Sequence, residues 1–218
     1  TAANLGGMEA SAESVMALEP DIVFSVSGQQ SEGLRTAGLP VFIVQPTSLD
    51  DIYRNIETIG RLTGEGHDAA AVVAEMHTDE HVIAERIATL SPDTFPRVYY
   101  EVWYGDPIYS VGPGSFIADL IERAGGKNVA ADQKNPWPTL SAEAVIAANP
   151  EVIIGPTSDT ALEKLRQGER AGWGNISAVQ QGRVYTIEEN LVSQPDTHAV
   201  EALRTIAQLL HPDLFPAR

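Results

Sequence analysis

One segment of this sequence occurs twice, and the repeat constrains the fold more than any other feature. The first copy, SAESVMALEPDIVF, runs from Ser11 to Phe24, and the second, SAEAVIAANPEVII, runs from Ser141 to Ile154. In each copy a serine can cap a short amphipathic helix, and a glutamate two positions on faces the positive end of the helix dipole. A proline, an acidic residue and an apolar strand follow. A repeat with so long a period predicts two similar domains rather than a solenoid.

Matching elements continue beyond both copies. Val41–Val44 and Val184–Ile187 are predicted strands, and Leu49–Leu62 and Thr197–Leu210 are predicted closing helices. Strands that alternate with helices at this spacing indicate parallel sheets. We therefore expect an α/β fold with two lobes, each containing a parallel-type sheet.

The second half contains two elements that the first half lacks. A strand predicted at Arg97–Trp103 and a helix predicted at Ser115–Ala124 precede the second copy, whereas only ten residues precede Ser11. We therefore expect that roughly 35 residues of the first lobe are absent from this chain, which leaves that lobe shortened at its N-terminus.

A long helical pattern lies between the two halves, from about Glu65 to Leu90. Apolar residues recur along it in steps of three, four and seven. The expected buried stripe is Val72, Val73, Met76, Ile83, Ile87 and Leu90. About 26 residues at ~1.5 Å each give ~39 Å, longer than most helices within one small domain. An ordinary surface helix is one interpretation; the other is a stiff rod between an N-terminal lobe (1–64) and a C-terminal lobe (92–218), with 65–91 as the linking helix.

Composition excludes several classes of function. A net charge of −16 argues against nucleic acids and anionic lipids as partners, because both require clustered lysine and arginine. The absence of cysteine excludes disulfides, thiolate metal sites and a cysteine nucleophile. No apolar run reaches the ~18 residues needed to span a bilayer, so we expect a chain that does not cross the membrane.

Aromatic residues concentrate in loops that follow predicted strands of the second half. Ligands of open parallel α/β sheets lie at the carboxyl ends of the strands. Three loops qualify there, namely Trp103–Tyr109, Asn135–Pro138 and Glu188–Gln194. Rigid aromatic faces with a few polar groups suit a large ligand. The alternative is that these side chains only pack the loops against the protein.

Signals for catalysis or metal binding are weak. The sequence has no nucleophile elbow and no Walker-type phosphate loop. His77 and His81 are spaced i and i+4 on the long helix but lack the rest of a metalloprotease signature. We expect no resident cofactor, no metal site and no enzymatic activity. Glu13 and Glu143 occupy equivalent positions in the two copies and fit two roles, either stabilising a helix start or meeting two arginines of a two-fold partner.

Four local motifs carry a family resemblance. They are Ala124–Asn128 (AGGKN), Asn135–Ser141 (NPWPTLS), Asn149–Ile154 (NPEVII) and Gly182–Tyr185 (GRVY). With them, nearly the whole chain resembles the periplasmic binding proteins of cobalamin, siderophore and haem ABC importers, and Tyr100–Phe116 is most similar to the cobalamin-binding branch. The resemblance implies two α/β lobes joined by a single long backbone helix, with the ligand in the cleft between the lobes.

The resemblance also implies roles for individual residues. Glu13 and Glu143 would dock onto arginines of the permease dimer. The implied ligand-binding residues are Trp103, Tyr104, Asp106, Tyr109, Trp137, Glu188, Glu189 and Asn190. Gly7 and Val26 depart from the pattern, because cobalamin-binding members have tryptophans at these two positions.

The implied function is that of a solute-binding protein, a monomer that delivers cobalamin or a related corrinoid to an ABC importer. Its location would be the periplasm or the outer face of the cell membrane, with lipid anchoring of the full-length protein left open. Haem or a ferric siderophore is the alternative cargo, and Tyr104 or Tyr109 would then serve as an axial ligand of haem. The third alternative is an enzyme on a similar two-lobed fold, which predicts a polar catalytic cluster in the cleft.

Overall fold

A computed structural model describes residues 11–26, 28–155, 159–193 and 195–216. The chain forms two compact units, Thr1–Gln45 and Pro46–Arg218. Each unit contains a parallel β-sheet, so the predicted fold class, α/β with parallel sheets in two bodies, is confirmed. The finer division into 1–64, 65–91 and 92–218 stays a prediction.

The smaller unit is a short β–α–β arrangement preceded by a helix. Its elements, in chain order, are α1 (Ala12–Met16), β1 (Val23–Ser25), α2 (Gly28–Thr36) and β2 (Val41–Ile43). The two strands are parallel, with Val23 opposite Val41. A crossover helix between parallel neighbours is the connection that this geometry requires.

The larger unit is built on a four-stranded parallel sheet. In spatial order its strands are β5 (Lys127–Asn128), β3 (Arg97–Tyr100), β7 (Val152–Gly155) and β8 (Val184–Thr186). A separate two-stranded ribbon pairs β4 (Ile108–Tyr109) antiparallel with β6 (Thr139–Leu140).

Strand β3 is shorter than the sequence predicted. The predicted strand Arg97–Trp103 is wrong beyond Tyr100, because the chain leaves the sheet there. The N–H of Glu101 still donates to Ile154 of β7, but the next N–H, that of Val102, donates to Tyr109 of the ribbon. Trp103 therefore lies in a loop, outside the sheet.

Eight α-helices of the larger unit lie in the part of the chain that the structure describes. They are α3 (Leu49–Thr63), α4 (Gly66–Ile87), α5 (Phe116–Arg123), α6 (Ala142–Ala148), α7 (Asp159–Gln167), α8 (Ser177–Gln180), α9 (Glu189–Ser193) and α10 (Ala199–Leu210). Short 3₁₀ helices occupy Pro92–Thr94 and Trp173–Asn175. The predicted loop Glu188–Gln194 is wrong in part, because α9 occupies most of it; Gln194 lies outside the described residues.

Alternate side chains of the sheet enter two apolar cores. Val98 and Tyr100 of β3 belong to a core that includes residues of α3, α4, α5 and α10. Tyr99, between them, belongs to a second core that contains Trp173. Successive side chains of a strand point to opposite faces of the sheet, so the two cores cover the two faces, and the strand ends remain free to carry loops.

Helix α4 is the long helix expected from the sequence. Its 22 residues give about 33 Å at ~1.5 Å per residue. The buried residues of α4 are Val73, Met76, Ile83 and Ile87. Val72 is 37% exposed, so its inclusion in the stripe is wrong; it lies roughly 100° around the helix from Val73. The inclusion of Leu90 is also wrong, because α4 ends at Ile87 and Leu90 lies beyond the helix, only partly buried. Helix α4 belongs to the larger unit, where α3 and α10 pack against it.

A close approach between α3 and α4 depends on Gly60. A Cβ atom at this position would lie 2.3 Å from the Cβ of Ala69. We expect Gly60→Ala to lower the free energy of unfolding by about 1–3 kcal/mol through overpacking, although alanine is the better helix former by about 1 kcal/mol. Urea unfolding measures the change. Gly33→Ala in α2, where a Cβ would meet no atom within 4 Å, is the control, and equal stability of the two variants would contradict this role for Gly60.

The repeat extends to the backbone of the two copies. In both, the first serine accepts a hydrogen bond from the N–H three positions on. Glu19 and Asn149, which precede the prolines of the two copies, both have a φ of 46°, an uncommon conformation outside glycine. Strands β1 and β7 follow, and each pairs in parallel with the next predicted strand of its half. The duplicated sequence therefore encodes a duplicated helix–turn–strand unit.

Candidate ligand-binding site

The carboxyl ends of β3, β7 and β8 lie at one edge of the larger sheet. These strands are parallel neighbours, so the segments that follow them start from the same side. We call this side the carboxyl edge. The segment after β3 begins at Glu101 and the segment after β8 at Ile187, whereas residues 156–158, after β7, lie outside the described part of the chain.

An exposed aromatic pair lies in the segment that follows β3. Trp103 is 53% exposed, and its ring packs edge-on against Tyr109 with the ring centroids 5.4 Å apart. The Trp103 indole N–H donates to the carbonyl oxygen of Pro107 at 3.4 Å, so the loop folds back on itself. Asp106, whose peptide bond to Pro107 is cis, is exposed in the same loop.

The ribbon of β4 and β6 places Trp137 in the segment that pairs with the Tyr109 segment. The N–H groups of Ser110 and Gly112 donate to the carbonyl oxygens of Pro138 and Pro136, both at 2.9 Å. These two bonds flank Trp137, whose side chain is 46% exposed. Glycine is required at position 112, because a Cβ there would lie 2.4 Å from the Asn135 carbonyl oxygen. The structure thus connects Trp103, Tyr109 and Trp137 through one ribbon.

Tyr104, although next to Trp103 in the chain, has different surroundings from this exposed group. Its ring is half-buried and packs against the core that contains Trp173. The guanidinium Cζ of Arg170 lies 4.4 Å from the ring centroid, and the Lys164 Nζ lies 5.6 Å from it. Cations of the protein therefore occupy the space over the ring, in favourable cation–π geometry.

The polar residues predicted after β8 are exposed at the carboxyl edge. Glu188 follows the strand, and Glu189 and Asn190 begin α9. Burial, and to a lesser extent the charge on Glu189, raises the pKa of Tyr100. Because Tyr100 is the last residue of β3, Glu189 lies near the start of the aromatic loop.

A buried ion pair at this edge was not anticipated from the sequence. The Glu101 side chain has no exposed surface, and that of Arg170 is 14% exposed. The guanidinium donates two hydrogen bonds, of 2.6 and 2.7 Å, to the carboxylate, a bidentate arrangement. Burial raises the pKa of Glu101, and Arg170 opposes that rise.

Only one member of this pair leaves a signal in the sequence. Glu101 interrupts the apolar run VYYEVW, and a carboxylate inside a buried strand requires a partner. Arg170 lies in the polar segment RQGERAGWG, which has no apolar periodicity. The partner could therefore be found only from the folded chain.

The two glutamates of the repeat are exposed in the first turns of α1 and α6. The N–H of Glu143 itself and the Ser141 hydroxyl hold the pKa of the Glu143 carboxyl below its usual range, so this group is ionised at neutral pH. Glu13 has the same capped position in the smaller unit. In that unit Val26 is 70% exposed, and Gly7 lies outside the described residues.

His77 and His81 of α4 contact neighbouring side chains of the protein. His77 packs against the ring of Tyr53, with the centroids 4.2 Å apart, and lies 3.6 Å from Glu80. His81 lies 3.3 Å from Glu85. Among the described residues there is no group of three or more His, Asp or Glu side chains that could hold a metal ion.

The chain belongs to the periplasmic binding protein family, since the family's sequence model, described as "Periplasmic binding protein", matches residues 3–191. An uncharacterised ABC transporter substrate-binding lipoprotein of Bacillus subtilis, YvrC, is 32% identical over 218 residues, which cover 97% of this chain and 68% of that protein. A cobalamin-binding protein of Halobacterium salinarum is 35% identical over 211 residues, which cover 91% of this chain and 55% of that protein. The family resemblance seen in the sequence motifs is therefore confirmed.

A solved structure shows the same fold. The periplasmic haem-binding protein RhuT from Roseiflexus sp. RS-1, in its apo form, matches with a TM-score of 0.77 at 22% identity. The match covers 94% of this chain and 81% of that chain. At this level of identity the likeness defines the architecture alone.

Proposed function

We propose that this chain is the substrate-binding protein of an ABC importer and that its cargo is cobalamin or a related corrinoid. Family membership supports the class of protein. The relatives named as an ABC transporter substrate-binding lipoprotein and as a cobalamin-binding protein, at 32% and 35% identity, support the cargo and its delivery. The protein would hold its cargo and perform no chemistry on it.

The observation that carries the proposal is the exposed aromatic group at and beside the ribbon. Trp103 and Trp137 are 53% and 46% exposed although both belong to a firmly hydrogen-bonded segment. Indole faces of this kind suit a large flat macrocycle. Tyr109 supports the edge of the Trp103 ring. Because the ribbon is already ordered, binding would immobilise few side chains.

The charges at the carboxyl edge favour a corrinoid over haem. Asp106, Glu188 and Glu189 are all exposed carboxylates. They can accept hydrogen bonds from the peripheral amide groups of a corrin ring. The same carboxylates would repel the propionates of haem and the anionic oxygens of a ferric siderophore. This difference in charge is the physical basis for choosing the corrinoid.

Isothermal titration of the full chain with cyanocobalamin, checked by absorbance spectroscopy, tests the proposed cargo. We expect a saturable complex with cyanocobalamin and much weaker binding of haem and of a ferric catecholate. Saturable haem binding with a shifted Soret band, together with no response to cyanocobalamin, would transfer the assignment to the haem-binding members of the class.

We also propose that Glu13 and Glu143 dock onto arginine side chains of the permease dimer. Both are exposed in the first turn of a capped helix, one in each unit. Replacing both with lysine is expected to weaken association with the permease by about tenfold or more, while the affinity for cobalamin stays unchanged. Surface plasmon resonance on the permease in nanodiscs measures the first quantity, and calorimetry measures the second.

Glu32→Lys combined with Glu122→Lys is the matched control for the docking experiment. It makes the same change in net charge and alters one exposed helical glutamate in each unit. We expect this control to bind the permease like the wild type. Equal weakening by the two pairs would show a general charge effect, and loss of cobalamin affinity in the docking pair would contradict the separation of the two roles.

The proposed site of action is the outer side of the cytoplasmic membrane, where the protein would work as a monomer. The name of the Bacillus subtilis relative, a lipoprotein, supports attachment at that face. In the part of the chain that the structure describes, no helix combines the length and the apolar character needed to cross a bilayer. Light scattering on the purified chain, with and without cobalamin, tests the monomeric state.

A further inference from the structure

The buried pair of Glu101 and Arg170 is connected to the aromatic loop by further contacts. Arg170 donates a third hydrogen bond, of 3.0 Å, to the carbonyl oxygen of Gly105. Its guanidinium also lies 4.4 Å from the ring centroid of Tyr104 and 4.7 Å from that of Trp173. One side chain thus holds two consecutive residues of the loop against the second core.

Gly105, which Arg170 contacts, lies in turn beside the side chain of Trp103. A Cβ atom at position 105 would lie 3.2 Å from the indole nitrogen of Trp103, so the Gly105 backbone lies directly beside this ring. The Arg170 guanidinium donates to the carbonyl oxygen of this same Gly105. Arg170 therefore limits the position of the exposed indole through Gly105.

Stability alone does not account for such a pair. Removing two charges from water offsets much of their mutual attraction, and apolar residues of similar volume often replace a buried pair with no loss of stability. Arginine has a planar fork that can bind a carboxylate with two donors and still reach another acceptor. Glu101 and Arg170 use this property to connect the end of β3, the loop and the second core.

We propose that Glu101 and Arg170 are positioning residues that hold the Trp103–Tyr109 pair in the orientation in which it receives the ligand. The inference rests on the proposed corrinoid-binding function and adds two residues to that site. Neither residue needs to touch the ligand. They act by limiting the conformations of the loop before the ligand arrives, which lowers the entropy lost on binding.

The test replaces the pair with apolar residues in the full chain. Glu101→Leu combined with Arg170→Met keeps the approximate volume and removes both charges. We expect a folded variant with a lowered melting temperature, because the buried Tyr99 hydroxyl, which donates to Glu101 at 3.4 Å, loses its acceptor. We also expect faster amide hydrogen exchange in the 102–109 segment and a dissociation constant for cyanocobalamin raised by about tenfold or more. Arg170→Lys keeps the charge but lacks the fork, so its affinity should fall between the wild type and the apolar pair.

Arg183→Met is the matched control. Arg183 is also half-buried in the larger unit, but it donates to the Leu210 carbonyl oxygen of α10 at 2.9 Å. This variant should leave both the affinity and the exchange of the loop unchanged. A folded apolar-pair variant with wild-type affinity and wild-type exchange at 102–109 would overturn the positioning role. If the wild type fails to bind cyanocobalamin, the proposed cargo is wrong. The positioning role is then tested by hydrogen exchange alone, through the comparison of residues 102–109 in the ligand-free wild type and in the apolar-pair variant.

Discussion

Trp103→Ala combined with Trp137→Ala is expected to weaken the proposed binding of cobalamin by about 10²–10³-fold. Each indole is about half exposed in the free protein, and a ligand that covers it removes apolar surface from water. Truncating a central aromatic anchor typically costs about 2 kcal/mol, and about 1.4 kcal/mol corresponds to a tenfold change in affinity. Isothermal titration of the purified double variant measures the loss.

Conservative variants separate stacking from a general disturbance of the ribbon. Trp103→Phe and Trp137→Phe keep a flat ring, so each should lose less than about tenfold in affinity. Leu62→Ala and Val82→Ala truncate exposed apolar side chains on α3 and α4 and should bind like the wild type. An alanine double variant that keeps its fold and its affinity would contradict the proposed ligand surface.

Arg123→Ala is expected to lower the free energy of unfolding by about 2–4 kcal/mol. Arg123, on α5, contacts Asp50 of α3 at 3.0 Å, Glu80 of α4 at 2.5 Å and Asp119 of its own helix at 2.8 Å. Glu80 and Asp119 are only 17% and 24% exposed, so removing the cation leaves two poorly solvated carboxylates close together. The hydrogen bond that Tyr53 of α3 donates to Glu80 at 3.0 Å would remain. It connects α3 to α4 but does not replace the contacts of α5.

Arg204→Ala is the comparison for this prediction. Arg204 pairs with Asp79 at 3.3 Å, but that carboxylate is 55% exposed, and exposed pairs contribute at most about 1 kcal/mol. Urea unfolding of both variants measures the difference. A loss at position 123 no larger than that at position 204 would show that the α3–α4–α5 charge cluster does not stabilise the fold. Sodium chloride should reduce the smaller effect more than the larger one.

Features of the fold with a local cause were predictable from the sequence. Capping by Ser11 and Ser141, the periodicity of α4, and the apolar strands after each proline all act within a few residues. The repeat added long-range information, because two copies of one pattern imply two copies of one arrangement. Together these features predicted the α/β class, the parallel sheets and the long helix.

The ribbon that carries the aromatic residues was not predictable. Each of its strands has two residues, too few for an alternating pattern to be recognised. Its register depends on backbone hydrogen bonds from Ser110 and Gly112, which leave no mark on side-chain chemistry. The sequence nevertheless indicated that Trp103, Tyr109 and Trp137 lie in segments beyond the strands, because turn residues and prolines surround them.

The buried pair shows a second limit of sequence reasoning. Glu101 and Arg170 lie 69 positions apart, and nothing local connects them. Tyr104 shows the same limit. In the sequence it belongs to one aromatic loop with Trp103, but in the fold Arg170 and Lys164, which are distant in sequence, lie over its ring. Contacts with distant segments therefore give the adjacent residues Trp103 and Tyr104 different surroundings, which the sequence alone does not indicate.

The two arms of the ribbon are joined to each other through main-chain atoms, from Ser110 to Pro138 and from Gly112 to Pro136. Main-chain bonds of this kind do not depend on which side chains flank them. We therefore expect the pairing of the two arms to persist when the side chains at positions 109 and 137 are changed. The same backbone could thus present other side chains at these two positions.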